Sequence, residues 1–214
     1  MDKLLTKFND YSLWLADRTS LREISNFIIR TNYEFHMGAL IFPKDEIEDN
    51  YRHIYENHES SYFYILKDNN GEYIGTIKSQ KWDHQAPLPI EKMFDIDVKA
   101  FAANLPFVTN EIWHIGCFAI DQKKILSDEN LMHKRISILK TLLMCALNHV
   151  YPNPRNIFLA ECDKKLHQTL RVLKIDCEVI GKSIFYLGSE TVPMFNTGKG
   201  IKKFFESHRN YSYV

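Results

Sequence analysis

The sequence predicts a single mixed α/β (α+β) domain. Two observations lead to this prediction: strand and helix patterns alternate along the chain, and one strand, residues 111–121 (EIWHIGCFAID), is apolar almost throughout. A strand without a polar face belongs in the middle of a sheet that is covered on both sides. With 214 residues and a hydrophobic fraction of 45%, the chain can bury such a core. We therefore expect a mixed central sheet flanked by helices.

The first half of the chain predicts a strand, two helices and a hairpin. The strand rests on an apolar run, and the first helix on apolar residues at helical spacing from Leu21 onwards. Pro43 opens the second, more polar helix. The hairpin is marked by Asn70-Gly71, a strong turn signal between two apolar runs. In chain order these elements are a strand at 11–16, a helix continuing through 28–35, a helix at 45–57, and strands at 61–68 and 72–82.

The second half predicts an insert, the central strand and a closing set of elements. Pro87, Pro89 and Pro106 interrupt the insert, which we expect to contain helical or irregular pieces. Leucines on one face predict a long helix after the central strand. In chain order the elements are the insert at about 84–110, the strand at 111–121, a helix at 134–150, a strand at 156–162, a helix at 163–175, a closing hairpin or bent strand at 177–188, the segment TVPMFN at 191–196, and a basic tail at about 197–214, which we expect to form a short exposed helix.

The composition excludes several classes of function. The formal net charge is zero, so no overall field favours binding to nucleic acid. No apolar stretch reaches transmembrane length, and the first residues lack the apolar run of a signal peptide. The four cysteines are widely spaced without a Cys-x-x-Cys motif, and the nine histidines form no short-range pair. We expect reduced core thiols in a cytoplasmic protein, without a metal site and without stable membrane insertion.

Two groups that can carry a proton lie in the central strand. Glu111 opens the strand, where we expect burial to raise its pKa; the alternative is a solvated carboxylate at the strand end. His114 points to the opposite face by strand alternation, and its alternative is a core histidine bonded to a backbone carbonyl. Gly116 marks a bulge or a close backbone approach. The strand therefore predicts a site for proton transfer.

Five segments, in this order, resemble a known family. They are IIRTNYEF (28–35), the acidic stretch 45–49, GEYIGTIK (71–78), LPIEKMF (88–94) and EIWHIGCFAID (111–121). Together they resemble the GCN5-related N-acyltransferase (GNAT) superfamily, and more locally its acyl-homoserine lactone synthases and N-acyl amino acid synthases. Each segment alone is short, so the order and spacing carry the resemblance. The resemblance implies a GNAT-type domain whose central strands splay apart.

The resemblance also implies an activity and its residues. It implies an N-acyltransferase that moves an acyl group from an acyl thioester, carried by CoA or acyl carrier protein, to the amine of a small acceptor such as an amino acid derivative. The thioester arm would lie along the gap between strands 111–121 and 156–162. Glu111 and His114 become the candidate catalytic residues. Substrate binding is assigned to Arg30, Asp49, Lys78 and Phe118, and donor binding to Phe118, Ile120, Lys134 and Arg135.

The departures from the family's pattern bear on the substrates. Lys78 and His114 stand where the family has arginines, and Trp113 replaces a small serine. For Arg30 and for Lys78 a surface salt bridge is the alternative interpretation. Residues 121–133 contain no glycine, whereas acetyl-CoA-using members place a glycine-rich turn there. This favours a longer acyl thioester over acetyl-CoA; an acetyl-CoA-dependent acetyltransferase and a non-catalytic ligand-binding module are the alternatives.

Overall fold

The computed structural model describes residues 1–38 and 41–208. The end of the predicted basic tail, residues 209–214, lies outside these ranges. The described residues form one mixed sheet with helices beside it, so the predicted fold class is confirmed. The strands are β1 Lys3–Lys7, β2 Tyr11–Leu15, β3 Ser61–Asp68, β4 Tyr73–Lys81, β5 Ile112–Ile120, β6 Ile157–Asp163, β7 Glu178–Val179, β8 Ile184–Tyr186 and β9 Ser189–Thr197.

The sheet follows the order β1-β2-β3-β4-β5-β6-β9-β7, and β8 pairs with β9. Strands β5 and β6 are parallel, whereas β6 and β9 are antiparallel. The predicted hairpin is confirmed: β3 and β4 flank Gly71, whose φ of 82° suits glycine. The helices are α1 Leu21–Met37, α2 Lys44–Glu56, α3 Pro89–Phe94, α4 Val98–Ala103, α5 Gln122–Ser127, α6 Glu129–Met132, α7 Arg135–Leu147, α8 Lys164–Val172 and α9 Lys202–Ser207.

The described chain divides into two compact units, and the first comprises Met1–Lys78 and Cys117–Ala146. The core of this first unit forms where the apolar face of α1 packs on residues of β3 and β5. A Cβ atom at Gly75 would lie 3.0 Å from Leu142 Cδ1, so α7 packs closely on β4 at this glycine. The members of the α1 core are Ala16, Leu21, Ile24, Phe27, Ile28, Ile54, Phe63, Ile65 and Ala119.

The second unit comprises Ser79–Gly116 and the described part of Leu147–Asn210. Here the predicted insert is a structural layer, because its helices α3 and α4 pack on apolar residues of β5, β6 and β9. In the tail, α9 is anchored rather than exposed, since Phe204 and Phe205 are buried. The core residues of this unit are Trp82, Leu88, Ile90, Val98, Ile112, Ile157, Leu159 and Phe195.

The cysteines lie largely in the interior. All four are free; Cys145, Cys162 and Cys177 are buried and Cys117 is half-buried. Burial raises the pKa of Cys145 and of Cys177 to about 12, which keeps these thiols protonated and inert. Among residues 1–38 and 41–208, no helix is long and apolar enough to span a bilayer.

Candidate active site

A histidine–carboxylate pair lies inside the sheet of the second unit. The parallel register sets His114 on β5 opposite Leu159 on β6, and Glu161 follows two residues later on the same face of β6. Nε2 of His114 lies 2.8 Å from a carboxylate oxygen of Glu161. The two side chains are 3% and 10% exposed, so solvent screens their interaction little. Two ionisable groups are thus in hydrogen-bonding contact among apolar neighbours.

The contact with Glu161 determines which nitrogen of His114 can accept a proton. A carboxylate oxygen accepts hydrogen bonds, so Nε2 carries the proton in this contact. The other nitrogen, Nδ1, is buried and has no hydrogen-bond partner within the described ranges. In the neutral ring, Nδ1 therefore holds the free lone pair. The pair has the arrangement of a general base and the carboxylate that orients it.

Gly116 provides the space that the His114 ring occupies. A Cβ atom at position 116 would lie 2.8 Å from Cε1 of His114 and 3.5 Å from each ring nitrogen. The next residue, Cys117, has a φ of 53°, in the left-handed region that residues with side chains rarely adopt. Registered β5–β6 pairs run from Ile112 with Ile157 to Ile115 with Ala160, just before this irregularity. The departure from strand geometry that Gly116 predicted is therefore present beside the histidine.

Glu111 lies in an environment different from the predicted one. Lys81 Nζ donates a hydrogen bond to its carboxylate, and Trp113 Nε1 donates a second at 3.0 Å. The hydrogen bond from Lys81 lowers the pKa of Glu111, so the predicted rise by burial is wrong. The hydrogen bond from Trp113 places Trp113 and Glu111 on one face of the strand, which by strand alternation is the face opposite His114. A carboxylate held ionised in this way is a weak proton acceptor near pH 7.

Glu111→Gln is therefore expected to lower turnover by less than about threefold. The carboxylate that it removes is a weak proton acceptor, so little catalysis depends on it. We expect a loss of about 0.2–1 kcal/mol in the free energy of unfolding at pH 7, since the ion pair with Lys81 is partly exposed. The folded-state pKa lies below the ordinary value of 4.5. The stabilisation is therefore complete above pH 4.5 and disappears as the pH falls through the folded-state pKa. Urea unfolding of the unmodified chain and of Glu111→Gln at pH 7 and pH 3 measures this change in stability. A large turnover defect in Glu111→Gln would contradict the expected small effect on catalysis.

The first unit contains three of the residues predicted to bind substrate, and each has a different environment: they are Arg30, Lys78 and Asp49. Arg30 forms an ion pair with Asp121 whose closest N–O distance is 3.6 Å, too long for a hydrogen bond. Asp121 also lines a cavity of about 310 Å³ that includes Thr31. Lys78 is 1% exposed, so the alternative of a surface salt bridge is wrong. Asp49 lies on the exposed face of α2 and pairs with Arg52 at 3.4 Å.

The predicted donor-binding residues divide between interior and surface. Phe118 is half-buried on β5 and Ile120 is buried at the end of that strand. Lys134 and Arg135 are exposed where α7 begins. The polar loop predicted before them contains the short helices α5 and α6. Backbone N–H groups in their first turns donate hydrogen bonds to the side chains of Asp121 and Asp128. Within the described residues no three potential ligands are grouped to hold a metal.

The second unit contains a cavity of its own, where the insert meets β4 and β5. It has a volume of about 580 Å³, within the range of small-molecule sites. Local sequence patterns do not reveal this cavity, because its walls come from segments that are separated along the chain. The lining residues are Trp82, His84, Lys99, Ala102, Ala103, Leu105, Phe107, Val108, Thr109, Asn110 and Ile112.

The backbone resembles solved structures over nearly its whole length. FeeM, an N-acyl amino acid synthase from uncultured soil microbes, has a TM-score of 0.56 at 15% identity, covering 90% of this chain and 93% of FeeM. FdhC, a nucleotide-linked sugar GNAT, has a TM-score of 0.51 at 13% identity, covering 98% and 96%. The chain has the GNAT fold.

TofI, solved in a ternary complex with an inhibitor and MTA, matches this GNAT fold with a TM-score of 0.51 at 12% identity, covering 88% of this chain and 91% of TofI. The sequence itself matches no protein-family model and no curated protein. At 12–15% identity the agreement lies in the backbone, so the GNAT fold is established by structure. Placed on that fold, the His114–Glu161 pair lies on two adjacent parallel strands.

Proposed function

We propose that the protein is an N-acyltransferase that moves an acyl group from an acyl thioester to the amine of a small acceptor. The observation that carries this proposal is the buried His114–Glu161 pair on adjacent strands of a GNAT fold. Acyl transfer to an amine needs a group that removes the ammonium proton and later protonates the leaving thiolate. A histidine oriented by a carboxylate can perform both tasks.

The proposed reaction uses His114 as the proton carrier. Nδ1 of His114 takes a proton from the acceptor's ammonium group, and Glu161 stabilises the resulting imidazolium through Nε2–H. The amine nitrogen attacks the thioester carbonyl carbon, so a C–N bond forms and the C–S bond breaks. After attack the His114 imidazolium gives its proton to the leaving thiolate, and the nitrogen's second proton passes to solvent as the one proton that the reaction releases. The products are an amide and a free thiol, with the imidazole returned to its neutral form.

For the donor we propose an acyl thioester of CoA or of acyl carrier protein. The absence of glycine from residues 121–133 supports a chain longer than acetyl. FeeM, which shares the fold, is an N-acyl amino acid synthase, which supports an amino acid or a derivative as acceptor. Phe118, Ile120, Lys134 and Arg135 are the proposed donor-binding residues. A cytoplasmic location fits the four free thiols.

For the acceptor we propose that Arg30 and Lys78 supply positive charge to a carboxylate. The Arg30 guanidinium lies 3.6 Å from Asp121 and 5.9 Å from the centroid of the Phe27 ring, and its Nε is buried without a hydrogen-bond partner within residues 1–38 and 41–208. The Lys78 side chain is 1% exposed, so solvent would screen little of its attraction to a ligand anion. Asp49 is less suited to bind the ammonium group, because it is 71% exposed and pairs with Arg52.

The proposal is tested by incubating the purified chain with acetyl, hexanoyl and decanoyl thioesters and a panel of amines. We expect thiol release together with an N-acyl product detected by mass spectrometry, with more product from the longer acyl groups. Product from acetyl-CoA alone would identify an acetyltransferase instead. Donor binding without product from any amine would identify a binding module and contradict the proposal.

A further inference from the structure

We infer that the insert cavity binds the acyl chain of the donor, so that the insert at 84–110 sets which acyl groups are accepted. This inference rests on the proposed acyl transfer and adds the place and the selecting element. The insert cavity is the 580 Å³ space described above, bounded by the loop after β4, helix α4 and the start of β5. Three properties support it: its position, the nature of its walls and the charges around it.

The position of the insert cavity relates it to the catalytic pair. Ile112 lines the cavity, and His114 follows two residues later on the same strand. Residues i and i+2 point to the same face, about 7 Å apart along the strand. The hydrogen bond from His114 places Glu161 on this face as well. The cavity therefore lies on the same face of β5 as the catalytic pair, about two residues from His114 along the strand.

The walls of the insert cavity leave apolar surface open to water. Val108 is 79% exposed, and Leu105 and Phe107 are only partly buried although they pack against the core of the unit. Trp82 is 4% exposed, and its Nε1 donates a hydrogen bond to Ala86 O at 2.7 Å, so its polar atom is satisfied within the wall. Covering such surface with an apolar chain is favourable at about 25 cal/mol per Å².

The charges around the insert cavity distinguish the donor's chain from the acceptor. Lys99 and His84 are its ionisable lining residues, and no carboxylate is among the residues that line it in the described structure. An amine acceptor arrives as an ammonium ion, which Lys99 repels and for which the described lining residues offer no carboxylate to form an ion pair. An uncharged acyl chain needs no such partner. The cavity therefore suits the acyl chain.

The test compares two alanine-to-leucine variants on helix α4. Ala103 is exposed and lines the cavity, so the added atoms of Ala103→Leu occupy it. Ala100 is exposed on the same helix and does not line it, so Ala100→Leu is the matched control. Both changes lie on the surface, and melting curves verify that the fold is retained. The ligands are acetyl, hexanoyl and decanoyl pantetheine, which carry the thioester arm common to CoA and acyl carrier protein.

Calorimetric titration without an acceptor measures binding without turnover. In the unmodified chain we expect affinity to rise with acyl length. Ala103→Leu should reduce the decanoyl-over-acetyl preference at least about tenfold, the effect of losing one or more methylene contacts, whereas Ala100→Leu should preserve it. Equal preferences in all three proteins would overturn the inference. The same titration is repeated with amines whose apolar side chains increase in size. If Ala103→Leu weakens the binding of these amines but not that of the acyl pantetheines, the inference is also overturned.

The outcomes for the insert cavity and for the proposed function are separable. If acyl transfer fails with every amine but Ala103→Leu still removes the chain-length preference, the cavity is supported and the activity is not. If transfer proceeds while length preference is unaffected by Ala103→Leu, the activity is supported and the inference is overturned.

Discussion

His114→Gln is expected to lower turnover about 100-fold or more, the usual range for losing a general base. Glutamine approximates the size of the imidazole but cannot accept the acceptor's proton. Donor binding should change little, because the buried histidine makes its catalytic contribution during proton transfer. The residual rate should rise with pH as free amine becomes available from solvent. Steady-state rates between pH 6 and pH 10, with donor affinity measured separately, test this expectation.

Glu161→Gln should produce a loss of similar size by another route. The glutamine NH₂ group can donate to Nε2 of His114, which would move the ring proton to Nδ1 and remove the lone pair that accepts the substrate proton. The double variant should be about as slow as His114→Gln alone, because the two residues act as a unit. Independent, multiplying losses in the double variant would show that Glu161 does not act through the histidine. A near-normal rate in His114→Gln would remove the pair from the mechanism.

Gly116→Ala is also expected to have a large effect, through the position of the His114 ring. The added Cβ would lie 2.8 Å from Cε1, closer than carbon atoms approach, so the imidazole must move. A catalytic group displaced by about 1 Å loses about 100-fold in rate. We also expect the free energy of unfolding to fall by about 1–3 kcal/mol, as for other overpacked interiors. Turnover and urea unfolding of the same preparation measure both effects.

A double-mutant cycle separates the ring's displacement from general damage. If Gly116→Ala acts by moving the imidazole, it should reduce turnover little further in a chain that already carries His114→Gln. An equal fold-loss in both backgrounds would mean that the glycine matters for the sheet rather than for the histidine.

Much of the fold could be predicted from local patterns. The β3–β4 hairpin follows from the Asn70-Gly71 turn between apolar runs, and α7 from the leucine stripe within 134–150. Strand β1 was not predicted, because its five residues KLLTK have no clear alternation and lie at the edge of the sheet, half in water. The short helices α5 and α6 were predicted as a loop, since six and four residues give little helical periodicity.

The site was less predictable, because it depends on contacts between distant residues. His114 was identified from its unusual place in an apolar strand, but its partner Glu161 depends on the parallel register of β5 and β6. The lowered pKa of Glu111 depends on Lys81, which β4 brings beside it from 30 positions away. The burial of Lys78 likewise reflects the tertiary layers rather than any local pattern, since a lysine in a strand ordinarily indicates a wet face.

The hydrogen bond between His114 and Glu161 also has a consequence for the folding of the chain. It joins residues 47 positions apart, and the two strands that carry them are parallel, so the long connection through α7 must close before the bond can form. Closing such a loop costs chain entropy that is recovered only when the strands pair. Intermediates with only local structure therefore have no assembled proton carrier, and recovery of turnover during refolding reports the arrival of long-range strand order rather than of helices.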